Sequence, residues 1–282
     1  MLEDVIFGQI TMPGEIVRLI VAFAGVMIAT YFDLFNKKNI PDKFLYGFLA
    51  TAFLVNLVFF QETLFWFSIA VAVFLSAIGY VFYRVGQLGG ADIFILASIM
   101  LLLPIHPSFT GMSFNMPFIF SVIVFSGVLF ALYVMVYFGW KLYEYEAKAR
   151  LEYLLLFIPY LLFAYVYVNS FLFNPVYFAF VSILLLATMF FMVFRETLLT
   201  TLAEELPVTQ LEPEDVLALE IMNKDMIERY KIPRLVTQEQ IDRLKAEKAP
   251  MVWVYTKLPP FIPFILAGMV FALFFARYLL LV

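Results

Sequence analysis

The chain has 282 residues, of which 64% are apolar and 14% charged, with a mean hydropathy of +0.95. Soluble domains run at about 45–50% apolar and about 25% charged, so a soluble fold of this size is excluded. The formal net charge is −4 but is concentrated in a few segments, which says little about partners, and nothing suggests nucleic acid. Cysteine is absent, which removes disulfides, thiolate metal sites and a thiol nucleophile.

The opening MLEDVIFGQITMPGE is acidic where a secretory signal is basic, so it does not read as a cleaved targeting peptide. Runs of about 17–25 apolar residues mark spans, and eight follow in order: 14–35, 44–60, 63–83, 91–105, 117–139, 151–168, 175–194 and 259–281. Several are short and Pro159 falls inside one, so six is the smaller count the pattern allows. The expected fold is all-α: a polytopic transmembrane helix bundle with a small cytosolic helical subdomain. Residues 1–194 form the membrane domain, 195–258 an acidic subdomain, and 259–282 the final transmembrane helix. In 195–258, Pro213-Glu214-Asp215 reads as a helix start and Thr237 with Gln240 as a capping box, giving two or three short helices.

Every second connection is basic. Lys37, Lys38 and Lys43 follow the first span, Arg84 the third, and Lys141, Lys148 and Arg150 the fifth, while nine Lys or Arg lie from Arg195 to Lys257. The alternate connections around Gln61, His106 and Asn169 carry none. The positive-inside rule then places the N-terminus outside and the basic loops in the cytosol of a multi-pass cell-membrane protein. Arg18 and Arg277 fall near outer helix ends, where snorkelling to the interface is expected.

Asp33 (TYFDLFNKKNIPD) and Asp92 (GQLGGADIFILA) fall inside spans, and a carboxylate at membrane depth is costly enough to read as functional. The topology brings both to the cytosolic face. Gly86, Gly89 and Gly90 let a second backbone approach Asp92 closely. Pro41 reads as a helix starter after a surface turn. Asp42 reads first as a helix N-terminal charge and second as a catalytic carboxylate. Arg84 reads as an anchor and Gln87 as a loop residue or substrate contact. His106 reads as a loop residue far from both aspartates.

Asp33 followed by Ile40-Pro41-Asp42, then Gly89-Gly90-Ala91-Asp92, resembles the type IV prepilin peptidases, GxGD-type membrane aspartyl proteases, and most closely their archaeal preflagellin (prearchaellin) peptidase branch. Ala91 gives the Gly-x-hydrophobic-Asp form of the motif. Leu258-Pro259-Pro260-Phe261-Ile262-Pro263-Phe264 is similar to the family's last helix, and Val236–Ile241 to a segment of archaeal members. The chain departs in having Phe94 where many members have Lys, in its eight spans against a common six, and in lacking the cysteine-rich element of bacterial relatives.

The resemblance implies that Asp33 and Asp92 are the catalytic pair, with Gly89, Gly90, Ala91, Pro41, Asp42, Gln87 and Pro263 shaping the site or binding substrate. It implies an aspartic-type endopeptidase that removes short basic leaders from preflagellin- or prepilin-like proteins at the cytosolic face. Its partners are then those substrates and the lipid bilayer. Two carboxylates sharing a site do not both ionise readily, so one keeps its proton while the other activates water. No metal or cofactor is required. From Glu196 to Glu228 there are nine acids and one Lys; this stretch reads first as a solvated face and second as an attractor of the leader through Glu204, Glu205, Glu212 and Glu214. The alternatives are a presenilin or signal-peptide-peptidase-like protease and an ion-coupled transporter using the two aspartates. Phe32 stands where the presenilin type has Tyr, and no internal repeat favours a transporter.

Overall fold

The computed structural model describes residues 10–36, 40–111, 116–144, 149–247, 249, 251–256 and 259–279. Of the features above, most of the N-terminal stretch and Lys37, Lys38, Lys148, Lys257 and Leu258 lie outside these residues. The chain is mostly helical, and a helix falls in each of the eight apolar stretches: α1 Glu15–Phe35, α2 Asp42–Val58, α3 Glu62–Arg84, α4 Gly90–Leu102, α5 Phe118–Glu144, α6 Phe157–Val168, α7 Pro175–Val193 and, last in the chain, α11 Ile262–Leu279. Four of them are long and apolar enough to cross a membrane: α1, α3, α5 and α7. The others are shorter, α2 with 17 residues and α4 with 13.

The outward surface is itself apolar. Ile16, Ile20, Met27, Tyr31 and Phe35 on α1 are all exposed, a pattern that suits lipid rather than water. Local sequence explains several helix ends. Asn174 caps α7 by accepting the Val176 and Tyr177 N–H groups, with Pro175 in the first helical position where its missing N–H costs nothing. Pro159 lies in the first turn of α6, after a 3-10 turn over Leu151–Leu156, so it starts a helix rather than breaking one.

Helix α4 is the centre of the bundle. It is apolar on nearly all sides, and eight of its 13 residues are buried, as expected of a helix with neighbours all round. It packs against α2, α3 and α1, while α11 packs against α5 and α1. Small residues let these helices touch. A Cβ on Gly25 would stand 2.0 Å from the Phe48 ring, and one on Gly268 would stand 2.1 Å from Ser126 Oγ and 2.8 Å from the Val122 carbonyl. Helix α6 buries no residue and lies at the periphery beside α7.

Arg18 does not snorkel. It is 1% exposed and donates to the carbonyls of Pro13, Phe59, Leu101 and Leu102 and to Asn56 Oδ1 at 2.9–3.2 Å. The carbonyl ends of α2 and α4 carry orphaned acceptors, and the buried guanidinium satisfies those of Phe59, Leu101 and Leu102. His106 is a loop residue at this same end, as expected, but a buried one, bonded to Ser121 Oγ at 2.9 Å and set edge-on to Phe118.

The polar segment after α7 builds a subdomain with its own core of Leu217, Val236, Ile241, Leu244, Val252 and Val254. The expected short helices are present: α8 Arg195–Leu202, α9 Lys224–Tyr230 and α10 Gln238–Ala246, the last with both bonds of the Thr237–Gln240 capping box. Two short strands are also present. β1 Ala203–Leu206 pairs antiparallel with β2 Val252–Tyr255, Ala203 opposite Tyr255. Pro213 does not start a helix. It enters a tight turn in which Glu214 takes φ 73°: Asp215 N–H closes the turn on the Glu212 carbonyl, and the segment is further hydrogen-bonded to 234–236. Glu220 ties the turn over Leu219–Ile221 to β2 and to Arg234, pairing with Arg234 and accepting the Tyr255 hydroxyl at 3.0 Å. Partial burial alone would raise the Glu220 carboxyl, but its own backbone N–H, Arg234 and Tyr255 hold it below its ordinary range.

Candidate active site

The approach to Asp92 is shaped by the end of α3. Gly86 adopts φ 71° and donates to the Tyr83 carbonyl while Gln87 donates to that of Phe82, which is a Schellman termination. The chain then turns through Leu88 and Gly89 into α4. Asp92, in the first turn of α4, reaches back so that Oδ2 accepts the Gly89 N–H at 3.0 Å. This is one half of a capping box and meets an otherwise orphaned donor. A Cβ on Gly89 would sit 3.1 Å from that oxygen, so glycine gives the carboxylate room to fold back.

Asp33 lies in the last turn of α1, yet its oxygen serves another helix. Asp33 Oδ2 accepts the N–H of Ile262, the first residue of α11, at 3.2 Å. Each carboxylate therefore sits at the N-terminal pole of a helix, Asp92 at that of α4 and Asp33 at that of α11. The partial positive charge of such poles favours an anion, and together they hold two acids at one spot. Asp33 and Asp92 are each 7% exposed and line the same cavity.

Both line one cavity of about 380 Å³. Its lining runs from Ile40 and the Gly86–Asp92 segment to Pro259–Ile262 at the head of α11, with Tyr83 and Phe130 between. The subdomain supplies a third side through Glu214, Val216 and Leu235. The exposed Gln87, Gly89 and Glu214 mark the side that solvent reaches.

Of the residues singled out from sequence, the structure brings together Asp33, Asp92, Gln87, Gly89, Gly90 and Ala91 around this cavity. Pro41 and Asp42 are exposed at the start of α2 and do not line it; their neighbour Ile40 does. Pro263 is also outside the lining. It occupies the second position of α11, where a residue without an N–H is tolerated, and the preceding Pro259 and Pro260 form the wall instead. Arg84 is exposed and turned away, so its neighbour Tyr83 takes the place beside the cavity.

Sequence reasoning did not single out Tyr83 or the specific part of Glu214, whose Oε1 accepts the Tyr83 hydroxyl at 2.9 Å. Tyr83 is one of 16 tyrosines and Glu214 one of nine acids in its stretch, so neither stands out without the fold. Among the described residues no group of three or more His, Asp or Glu is placed to hold a metal ion. The arrangement can present two buried oxygen acids, with Tyr83 and Glu214 on the same lining, to a molecule entering from the subdomain side.

No family model, curated protein or solved structure matches the chain. What the site can do rests on its own geometry and on the motif resemblance given above.

Proposed function

We propose that this chain is a membrane aspartyl endopeptidase that removes short basic leader peptides from preflagellin- or prepilin-like proteins at the cytosolic face of the membrane. The observation that carries this reading is the pair itself: Asp33 and Asp92, from different helices, both buried, on one cavity that solvent reaches. The eight-span arrangement with the N-terminus outside belongs to the same proposal. It puts the cavity and the subdomain on the side where a cytosolic leader arrives.

In this mechanism one carboxylate of the pair takes a proton from water, and the water attacks the peptide carbonyl. The other, protonated, donates a hydrogen bond to the developing oxyanion; as the intermediate collapses, the carboxyl that took up the water's proton passes it to the leaving amine and the C–N bond breaks. The Gly89–Ala91 backbone has little side-chain bulk, so an extended substrate segment has room to lie along it. Pro259 and Pro260 carry no N–H and stiffen the opposite wall, keeping Ile262 and hence Asp33 in register.

The test is cleavage of a membrane-embedded preflagellin-type substrate by the wild type and by Asp33→Asn and Asp92→Asn, with folding of each variant checked by thermal unfolding. Each single change is expected to lower kcat by at least about 10²–10⁴-fold. Near-wild-type cleavage by either folded variant would remove the pair as the active site and move the transport reading ahead.

A further inference from the structure

The fold separates the four glutamates that the sequence alone treats alike. Glu204 and Glu205 are exposed on β1, and Glu212 sits on the outer side of the turn with its N–H bonded to Asp215. Glu214 is different. It lines the cavity of the aspartate pair, and among the described residues it is the third and last acid to do so.

Three features fix it there. The turn that carries it is pinned to the neighbouring segment by Glu214 N–H to Val236 O at 2.8 Å, Val236 N–H to Asp215 O at 3.1 Å and Leu217 N–H to Arg234 O at 2.7 Å. Its backbone is left-handed, a conformation glutamate takes at a cost and holds only where surrounding bonds impose it. Its Oε1 is occupied by the Tyr83 hydroxyl, which aims Oε2 at the Gly89–Ala91 segment, 3.8 Å from where a Cβ on Gly90 would stand. Among the described residues no Lys or Arg pairs with this carboxylate; the nearby Arg234 is engaged by Glu220.

A fixed carboxylate with one oxygen committed, the other facing the substrate path, and no cation of its own is a receptor for a cation. We propose that Glu214, on the same cavity as the aspartate pair, binds a positively charged side chain of the leader, and so sets the preference for basic leaders. This inference rests on the peptidase reading and names the residue by which that site recognises its substrate.

The experiment compares Glu214→Gln with the wild type on two membrane-embedded substrates, one with lysines in its leader and one with those lysines changed to glutamine. Glutamine keeps an oxygen for the Tyr83 hydroxyl and removes only the charge. The ratio of kcat/KM for the basic over the neutral leader is expected to fall about fivefold in the variant at low salt, less at high salt, as for an exposed ion pair. Glu214→Lys is expected to invert the ratio in favour of a leader carrying glutamates. An unchanged ratio, with wild-type cleavage intact, overturns the role of Glu214 and leaves the peptidase reading standing. Absence of cleavage of either leader by the wild type removes both.

Discussion

A buried guanidinium with no carboxylate beside it among the described residues is unusual, and Arg18 is held by geometry rather than by charge. Three of its five bonds close the carbonyl ends of α2 and α4, at Phe59, Leu101 and Leu102, and the other two go to the Pro13 carbonyl and Asn56 Oδ1, at the end of the bundle opposite the aspartates. Replacing it with methionine leaves several acceptors in an apolar setting, at a cost of about 3 kcal/mol. Arg18→Met is therefore expected to lower Tm by about 5–10 °C in detergent, and Arg18→Lys to recover part of that through its three donors. A Tm equal to wild type for Arg18→Met would show that water replaces the guanidinium. At this scale a carboxylate in an apolar run is legible, which is how Asp33 and Asp92 stand out. Arg18 is not, because a single arginine near a helix end looks the same whether it reaches out to water or in to carbonyls.

At the scale of elements, the contact between α5 and α11 governs how the site is held. Gly268 packs on the α5 backbone at Val122 and Ser126, and the same helix begins at Ile262, whose N–H holds Asp33. Gly268→Ala is expected to destabilise by roughly 1–3 kcal/mol and, under the peptidase proposal, to lower kcat with it. Adding Ser126→Ala removes the nearest atom but not the Val122 carbonyl, so the double variant is expected to recover only part of the Tm. Full recovery would show that the hydroxyl alone sets the spacing. Helices were legible here because apolar runs are long. The β1–β2 ribbon was not, since four residues such as Ala203–Leu206 carry too little alternation to separate a strand from a helix end. Nor was the turn at Pro213, whose conformation is imposed by bonds to 234–236 that lie far along the chain.

For the whole molecule, the proposed orientation is open to direct labelling because the chain has no cysteine, so any introduced thiol is unique. Phe171, fully exposed after α6, and Glu239, exposed on α10, lie on opposite sides in the proposed topology. In intact cells a membrane-impermeant maleimide is expected to label Phe171→Cys and to leave Glu239→Cys unlabelled until the membrane is opened; the reverse pattern would overturn the orientation. The proposed side assignment rests on the charge pattern of the connections, whereas the docking of the subdomain onto Gly86 through Val216 depends on a close approach that no local pattern signals. The pairing of Ala203 with Tyr255 has a consequence of another kind. Because the two strands leave and rejoin the bundle side by side, everything between them is a cassette hung on a narrow stem, and its two ends meet. Under the peptidase proposal, a chimera that exchanges 203–255 replaces the wall carrying Glu214 while Asp33 and Asp92 stay in the bundle, and it is expected to change which leaders are accepted.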